Sequence, residues 1–431
     1  MISNFNNHFA KIIKRPKINN RLILGLSGGI DSMALLYLLR NFIDKNKNLK
    51  IDLIPIIVDH NLRFESEKEA KKVKKISKSL GFNAQIKKIT DPKPNGNIQN
   101  WARKHRRNLL CHACIKASAN LILAHHFDDQ AETLFMRLIK KSGLDGLSGM
   151  TAVSTWNGIF ILRPLLNNNK DQIKNYVQSR HIKYFEDISN FNFKFERVKT
   201  RFLLENIKNQ LWPNITYDLN YLSNLNRNLL IKTSSIFDIW IKKNISINPG
   251  GAVRVDFKSL KNIFDKSYNF STRVVGKIIQ TVGGSEYPPK RRKTFELISS
   301  IFCSQFKNKN LGNVNIFHSM GYLFFFRESR NINFEVKIQR NKYHIFDGRF
   351  LVLSSISGKL IKCTESEFVS IHHKEPFNKF DKQINNTIPY LKTLEGKTIK
   401  PHLYIINQNS ALKNNHKQSC FSLYLINRIL I

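Results

Sequence analysis

The sequence predicts an α/β protein built on a mostly parallel, doubly wound sheet, and three observations carry that expectation. Short apolar runs suited to strands recur at LILGL (22–26), LIPIIV (53–58), AQIKKI (84–89) and LILAHH (121–126). The stretches between them place apolar residues at helical spacing. Two glycines follow the first run directly, in LGLSGGIDSMALLYLLR (24–40), where sheets of this kind turn from strand to helix and bind ligands beyond the strands' carboxyl ends.

Each element has local grounds. The segment MISNFNNHFAKIIKRPKINN is amphipathic and basic, and a short leading helix is expected there rather than a targeting address. After Asp31, the residues Ala34, Leu35, Leu38, Leu39 and Phe42 mark one helical face. In SEKEAKKVKKISKSLG, Val73, Ile76 and Leu80 form a stripe, and Gly81 stands where a helix ends. Strand and helix alternate as in successive βαβ units. Further on, LNYLSNLNRNLLIKTSSIFDIWIKKN (219–244) predicts a helix with Leu222, Leu225, Leu229, Phe237 and Trp240 on its apolar side. GYLFFFRE (321–328) and FDGRFLVLS (346–354) each read as a strand, with the phenylalanines as core rather than a base-stacking platform. A chain of 431 residues exceeds the usual size of one core, so more than one domain is expected.

Charge narrows the partners. Lys and Arg total 70 against 31 Asp and Glu, a net charge of +39, which points to a polyanion such as nucleic acid. Part of that excess is compositional, because Lys, Asn, Ile and Phe are abundant throughout. The five cysteines (Cys111, Cys114, Cys303, Cys363, Cys420) are odd in number and scattered, unlike a disulfide framework, and fit a reducing cytoplasm. No apolar run approaches the roughly 18 residues of a membrane-spanning helix.

The loop after the first strand has two readings. The backbone N–H groups of Ser27, Gly28 and Gly29, with the helix N-terminus behind them, can face an anion, and glycine permits positive φ and close approach. A plain structural turn explains the same residues. No Gly-Lys-Ser/Thr follows, so this is not a Walker A loop. Asp31 instead opens the helix where a carboxylate can hold Mg²⁺ between phosphates, and Ser32 is either a ligand contact or a cap. At the end of the fourth run, His125, His126, Asp128, Asp129 and Glu132 cluster at a strand end and on the next helix. Carboxylates there suit Mg²⁺ and a histidine can bond phosphate, while compensation of the helix dipole is the bland account. Asp59 and His60, closing the second strand, are secondary candidates. Arg103 in WARKHRR is the cation placed nearest a reacting phosphate, because guanidinium matches it bidentately. Lys104, Arg106 and Arg107 read as a solvated helix face, and Trp101 as core or as a base-stacking ring. Downstream, Lys290, Arg291, Arg292 and Lys293 are candidate phosphate contacts or a solvated helix start.

SGGIDS resembles the PP-loop of the N-type ATP pyrophosphatases, which cleave ATP between its α and β phosphates to adenylate a substrate. VDHNLRFESEKEA (58–70), NWARKHRR (100–107), LAHHFDDQAETLFMRLIKKSGLDGLSGM (123–150), LRPLL (162–166) and EDISN (186–190) together resemble the tRNA(Ile)-lysidine synthetase family in order and spacing. The resemblance covers residues 20–205 and thins beyond. It implies an adenine nucleotide alpha hydrolase-like fold over 1–212, a helical and mixed tRNA-binding domain over 213–330, and a small mixed α/β C-terminal domain over 331–431. It implies Asp31, Arg103 and Glu132 as catalytic residues, with Mg²⁺ on Asp31 and Glu132. It also implies ATP held by Ser27, Gly28, Gly29, Ile30, Asp31, Ser32 and His125. Secondary positions are Asp59, His60, His126, Asp128, Asp129, Arg197 and Arg201. Where the family usually shows proline, EDISN has Ile188, but Asp187, Ser189 and Asn190 keep the polar pattern, as do the arginines of RVKTRF (197–202).

The implied reaction is a ligation in the cytoplasm. The wobble cytidine of isoleucine tRNA with a CAU anticodon is adenylated at carbon 2, and L-lysine then displaces AMP, converting reading from AUG to AUA. No membrane is expected as a partner, and a homodimer is a candidate assembly. Two rivals stay open: a tRNA thiolase using the same loop, and a tRNA-binding protein with a relic loop. The thiolase would need working cysteines, yet the CHAC pair (111–114) reads as the buried side of a helix.

Overall fold

The computed structural model describes residues 1–427 apart from 17, 61–65, 90–91, 93, 95, 97, 157–158, 187–191, 304–305, 307, 342, 363–370, 372, 376 and 408–419. The chain forms two compact units, Met1–Lys232 and Thr233–Ile431.

In the first unit the four runs all form strands: β1 (Arg21–Gly25), β2 (Asp52–Asp59), β3 (Gln85–Lys88) and β4 (Asn120–Ile122). A hairpin of β5 (Val153–Trp156) and β6 (Ile159–Leu162) completes a six-stranded sheet in the order β3-β2-β1-β4-β6-β5. Ile23 of β1 lies opposite Ile54 of β2 and Leu121 of β4, both in parallel, and only β5 runs against its neighbour. The chain winds outward from β1 to β3 and then returns to the other side of β1. The crevice between the ends of β1 and β4 is therefore the switch point where ligands of such sheets bind. That crevice brings residues 27–32 beside residues 125–132.

Apolar packing fixes the helices around this sheet. α1 (Ile2–Ile13) buries Phe5, Phe9, Ile12 and Ile13, and Phe9 meets Phe42 of α2 (Ile30–Lys45) edge-on at 4.8 Å. Each such buried side chain contributes about 1.5 to 3 kcal/mol. α2 buries seven apolar residues from Met33 to Phe42, so the first turn behind the glycine loop is rigidly seated. α3 (Ser66–Ser79), α4 (Ile98–Ala117), α5 (Phe127–Ile139), α6 (Leu144–Leu147) and α7 (Lys170–Ser179) follow. α8 (Glu196–Gln210) and the start of α9 (Ile215–Asn244) lie against α5, with Leu134, Leu204, Ile215 and Leu219 in one apolar cluster.

The long helix over 219–244 forms, but its buried side differs from the expected stripe. Leu222, Leu225 and Leu229 are exposed, while Leu219, Ser223 and Asn226 are buried and Phe237 is fully so. Polar contacts set the inner face here: Asn220 donates to the Phe127 carbonyl and Gln130 to Ser223 Oγ.

The second unit opens with a five-stranded antiparallel sheet of β7 (Ile245–Ile247), β8 (Val253–Asp256), β9 (Lys309–Leu311), β10 (Val314–Ser319) and β11 (Tyr322–Arg327), ordered β7-β8-β11-β10-β9. Alternation along β11 divides its phenylalanines. Phe325 faces α11 (Tyr268–Gly283), which follows α10 (Phe257–Lys266), and packs with Val274, Ile278 and Val282. Phe324 and Phe326 face Phe346, Phe350 and Leu425. FDGRFLVLS, expected as a strand, is a hairpin of Tyr343–Phe346 and Phe350–Ser354. Asp347 and Gly348 take φ of +51° and +64° in its turn, as an Asp-Gly pair favours. Around that turn Arg327 and Arg349 both grip Asp347 at 2.6 to 2.9 Å, and Arg349 reaches the Thr387 carbonyl at 2.5 Å. Among the described residues no helix is long and apolar enough to cross a membrane.

Candidate active site

In the glycine loop Ser27 N donates to Ser32 Oγ at 3.3 Å and Gly29 N to Ser27 Oγ at 3.4 Å. Gly28 adopts φ +85°, and a Cβ there would come within 2.8 Å of Val73 Cγ2. Its carbonyl accepts from Phe185 N at 3.0 Å, which fixes the bend from behind. Ser32 Oγ donates to the Gly29 carbonyl at 2.9 Å and lies 3.1 Å from Ser27 Oγ, so the two serines brace the loop from inside. Gly29 is the N-cap of α2 and no side chain caps the helix. The first-turn N–H groups of Ile30, Asp31 and Ser32 have no carbonyl within the helix to meet, and the dipole adds partial positive charge there. An anion is the complement.

Facing this loop is a continuous chain of charge. Asp31, half-exposed on the first turn of α2, accepts from Lys170 Nζ at 2.6 Å and lies 3.7 Å from His126 Nε2. The His126 backbone N donates to Asp129 at 3.1 Å, and its Nδ1 lies 3.5 Å from Asp128. Asp128 accepts from the backbone N of Lys170 at 2.7 Å. Arg197 joins the far end, with Nε donating to Glu132 at 2.6 Å and an Nη to Asp129 at 2.9 Å, and Arg201 adds Nε to the other Glu132 oxygen at 2.8 Å. Both oxygens of the buried Glu132 are thus committed to guanidinium. Among the described residues no three His, Cys, Asp or Glu side chains converge as a ready cation site. Asp31, with its side chain 29% exposed, presents a carboxylate on the first turn behind the loop. That fits Mg²⁺, which takes one or two protein carboxylates together with substrate phosphates.

The two histidines are tuned in opposite directions. Burial pushes His125 down to about 3 against the opposing charge of Asp129, with lesser help from Arg163, Arg197 and Arg103. Its ring is neutral at physiological pH, and Nδ1 is buried with no hydrogen-bond partner among the described residues. For His126, burial works against the charged ring but Asp129, Asp128 and Asp31 outweigh it, so its pKa is raised. Asp129 is the converse: burial opposes its charge, and His126 and Arg197 hold it well below the usual carboxylate range.

The structure gathers Ser27–Ser32, His125, His126, Asp128, Asp129, Glu132, Arg197 and Arg201 into one crevice. Arg103 lies on α4, exposed, yet close enough to depress His125 and Arg163. Asp59 is buried at the end of β2 and accepts from Ser66 Oγ at the start of α3 at 2.9 Å, a link between elements, and His60 follows it. Asp187, Ser189 and Asn190 lie outside the described residues. The expected solvated face of α4 holds for Lys104 but not for its neighbours: Arg107 stacks 4.2 Å over the Trp156 ring, and Arg106 is half-buried. Burial and the nearby Arg107 and Arg103 lower Arg163 to about 10, and its Nη1 donates to the Thr151 carbonyl and Ser154 Oγ. Trp101 is half-buried against the His105 ring at 4.8 Å. Lys290, Arg291, Arg292 and Lys293 are exposed at the start of α12 (Arg291–Ile301), where cations oppose the helix dipole. Sequence reading missed Lys170. Its only signal was the capping box of Asn169 and Gln172, which fixes a helix start at that residue.

Cys111 and Cys114 are buried, and burial pushes Cys111 up to about 12 and Cys114 higher still, so both are unreactive thiols.

A switch-point crevice with a glycine loop, an uncapped helix start and convergent arginines suits a protein that binds nucleotide phosphates. Residues 1–207 match the model of the PP-loop domain family. Among curated proteins the chain is similar to several named tRNA(Ile)-lysidine synthase. It is 43% identical over 194 residues to that of Wolbachia pipientis wMel, where the match spans 44% of each chain. To that of Orientia tsutsugamushi (strain Boryong) it is 26% identical over 92% of this chain and 91% of the relative. To that of Rickettsia akari (strain Hartford) it is 29% identical over 89% and 90%. The chain spans less than half the length of the Wolbachia relatives it matches, 44% in each case.

Proposed function

We propose that this chain ligates L-lysine to carbon 2 of the wobble cytidine of isoleucine tRNA bearing a CAU anticodon, forming lysidine and converting codon reading from AUG to AUA. The observation that carries the reading is the uncapped first turn of α2, with Asp31 upon it, opening onto the His125 to Arg201 network.

The resemblance to lysidine synthetases supplies the product, and those residues supply an adenylating site. The oxygen on carbon 2 of cytidine is a poor leaving group, so it is first joined to the α phosphorus of ATP with loss of pyrophosphate. The lysine ε-amine then attacks carbon 2, and AMP departs with the oxygen. The N–H groups from Gly28 to Ser32 hold the triphosphate. Mg²⁺, when bound at Asp31, neutralises phosphate charge. Arg103 and Arg197 stabilise the charge that develops at phosphorus, and preorganised donors of this kind are worth several kcal/mol. His125, neutral and with an open Nδ1, contacts the nucleotide. Glu132 serves by aiming Arg197 and Arg201. Residues 213–330 and 331–431 hold the tRNA body by shape and phosphate contacts, so binding weakens as salt rises.

The test is incubation with isoleucine tRNA (CAU), ATP and labelled lysine. Label is expected in the RNA with the native chain and not with Asp31→Ala. Absence of label with both, or equal labelling by both, overturns the reading.

A further inference from the structure

Lys170 is outside every motif that singled out the site, yet it makes the shortest contact to Asp31. Its root and its head are held differently. The root is fixed: its backbone N donates to Asp128, Asn169 caps the helix through Gln172, and Phe127 N donates to the Asn168 carbonyl at 2.9 Å. The ammonium head is a single ion pair on a flexible stem, with side-chain exposures of 30% for Lys170 and 29% for Asp31. The pair is therefore partly open to solvent.

Two cations contend for this carboxylate. Asp31 stands on the first turn behind the loop, and its Oδ1 accepts from the ammonium. A divalent ion arriving there displaces a monovalent one, and the displaced ammonium then stands beside phosphate oxygens, the strongest acceptors within reach of its stem.

Resting on the adenylation reading, we infer that Lys170 is a triphosphate-binding residue parked on Asp31, which neutralises that carboxylate until Mg²⁺ arrives with the nucleotide and then moves onto the phosphates. The assignment makes nucleotide binding without metal depend on Lys170, because a bare Asp31 repels the triphosphate. It also makes Lys170 a competitor of the metal.

Both consequences are read from binding rather than turnover. The full chain is titrated with a fluorescent ATP analogue in EDTA, and then with Mg²⁺ at fixed analogue. Lys170→Met is expected to weaken binding in EDTA about tenfold and to lower the half-saturating Mg²⁺ concentration severalfold, while Lys170→Arg stays near the native values. Should the Met variant fail to fold by circular dichroism, Lys170→Gln, close to it in length, gives the same reading. A Mg²⁺ midpoint and an EDTA affinity both within twofold of the native chain overturn the inference, and a lowered melting temperature with unchanged binding does the same by marking the pair as structural. Failure of the native chain to bind the analogue with or without Mg²⁺ counts against the adenylation reading itself and removes this inference with it.

Discussion

Arg197 places its Nε–H 2.6 Å from Glu132, a carboxylate that is only 3% exposed. Removing one partner of such a buried pair leaves the other charged and unpaired, at a cost of about 3 to 5 kcal/mol. Glu132→Ala leaves Arg197 with Asp129 and takes the Glu132 acceptor from the half-exposed Arg201, so the unfolding free energy from urea curves should fall by less than that limit, about 1 to 3 kcal/mol. The substitution should also abolish lysine transfer. Glu132→Gln, which keeps the acceptor oxygen, should recover part of the stability, measured by the same denaturation curve.

Gly28→Ala should cost about 1 to 2 kcal/mol from the left-handed backbone alone. Its φ is +85°, and the added methyl would lie 2.8 Å from Val73. Pairing it with Val73→Ala relieves the contact but not the backbone strain. The double variant should therefore regain some stability while nucleotide affinity stays reduced, which separates packing from loop shape.

The histidines give a pH signature with a definite sign. His125 is lowered to about 3 in the folded chain and near 6.5 when unfolded, so the unfolded state binds the extra proton and stability falls as pH drops below 6.5. That loss is about 2 kcal/mol at pH 5. His126, whose pKa is raised, contributes stability that is fully present below its unfolded value and is lost as pH rises through the folded one. His125→Gln should flatten the acid limb of urea midpoints taken between pH 5 and 7. An unchanged slope would show that the ring is solvated.

Thiol chemistry separates the ligase from a thiolase. Cys303 and Cys420 are exposed and Cys111 and Cys114 are buried. An alkylating reagent should modify the first two within the native protein and the second two only after unfolding, as read by mass spectrometry. Cys111→Ala with Cys114→Ala should leave lysine transfer intact. Cys363 lies outside the described residues.

The core of the first unit was legible because a parallel sheet writes near-continuous apolar runs, and all four became strands. The hairpin of β5 and β6 was not anticipated, although Asn157-Gly158 between two short runs is the sequence mark of such a turn. Asp347-Gly348 was passed over in the same way. Side-chain pairing was harder to read. That Glu132 meets two arginines more than sixty residues away follows from how α8 packs on α5, which no local pattern encodes. Lys170 was hidden for the same reason, its partner lying 139 residues earlier. On α9, polar residues took the inner face because carbonyls and amides there needed partners, and a hydrophobic stripe cannot report that demand.

The grip of Arg327 and Arg349 on Asp347 sets two positive groups on one negative group in the interior of the second unit. The bond from Arg327 crosses the border expected at 330, and so do Phe324 and Phe326. A chimera that replaced only residues 331–431 with those of a relative would have to import a matching carboxylate and aromatic wall, or leave a stranded cation at the seam.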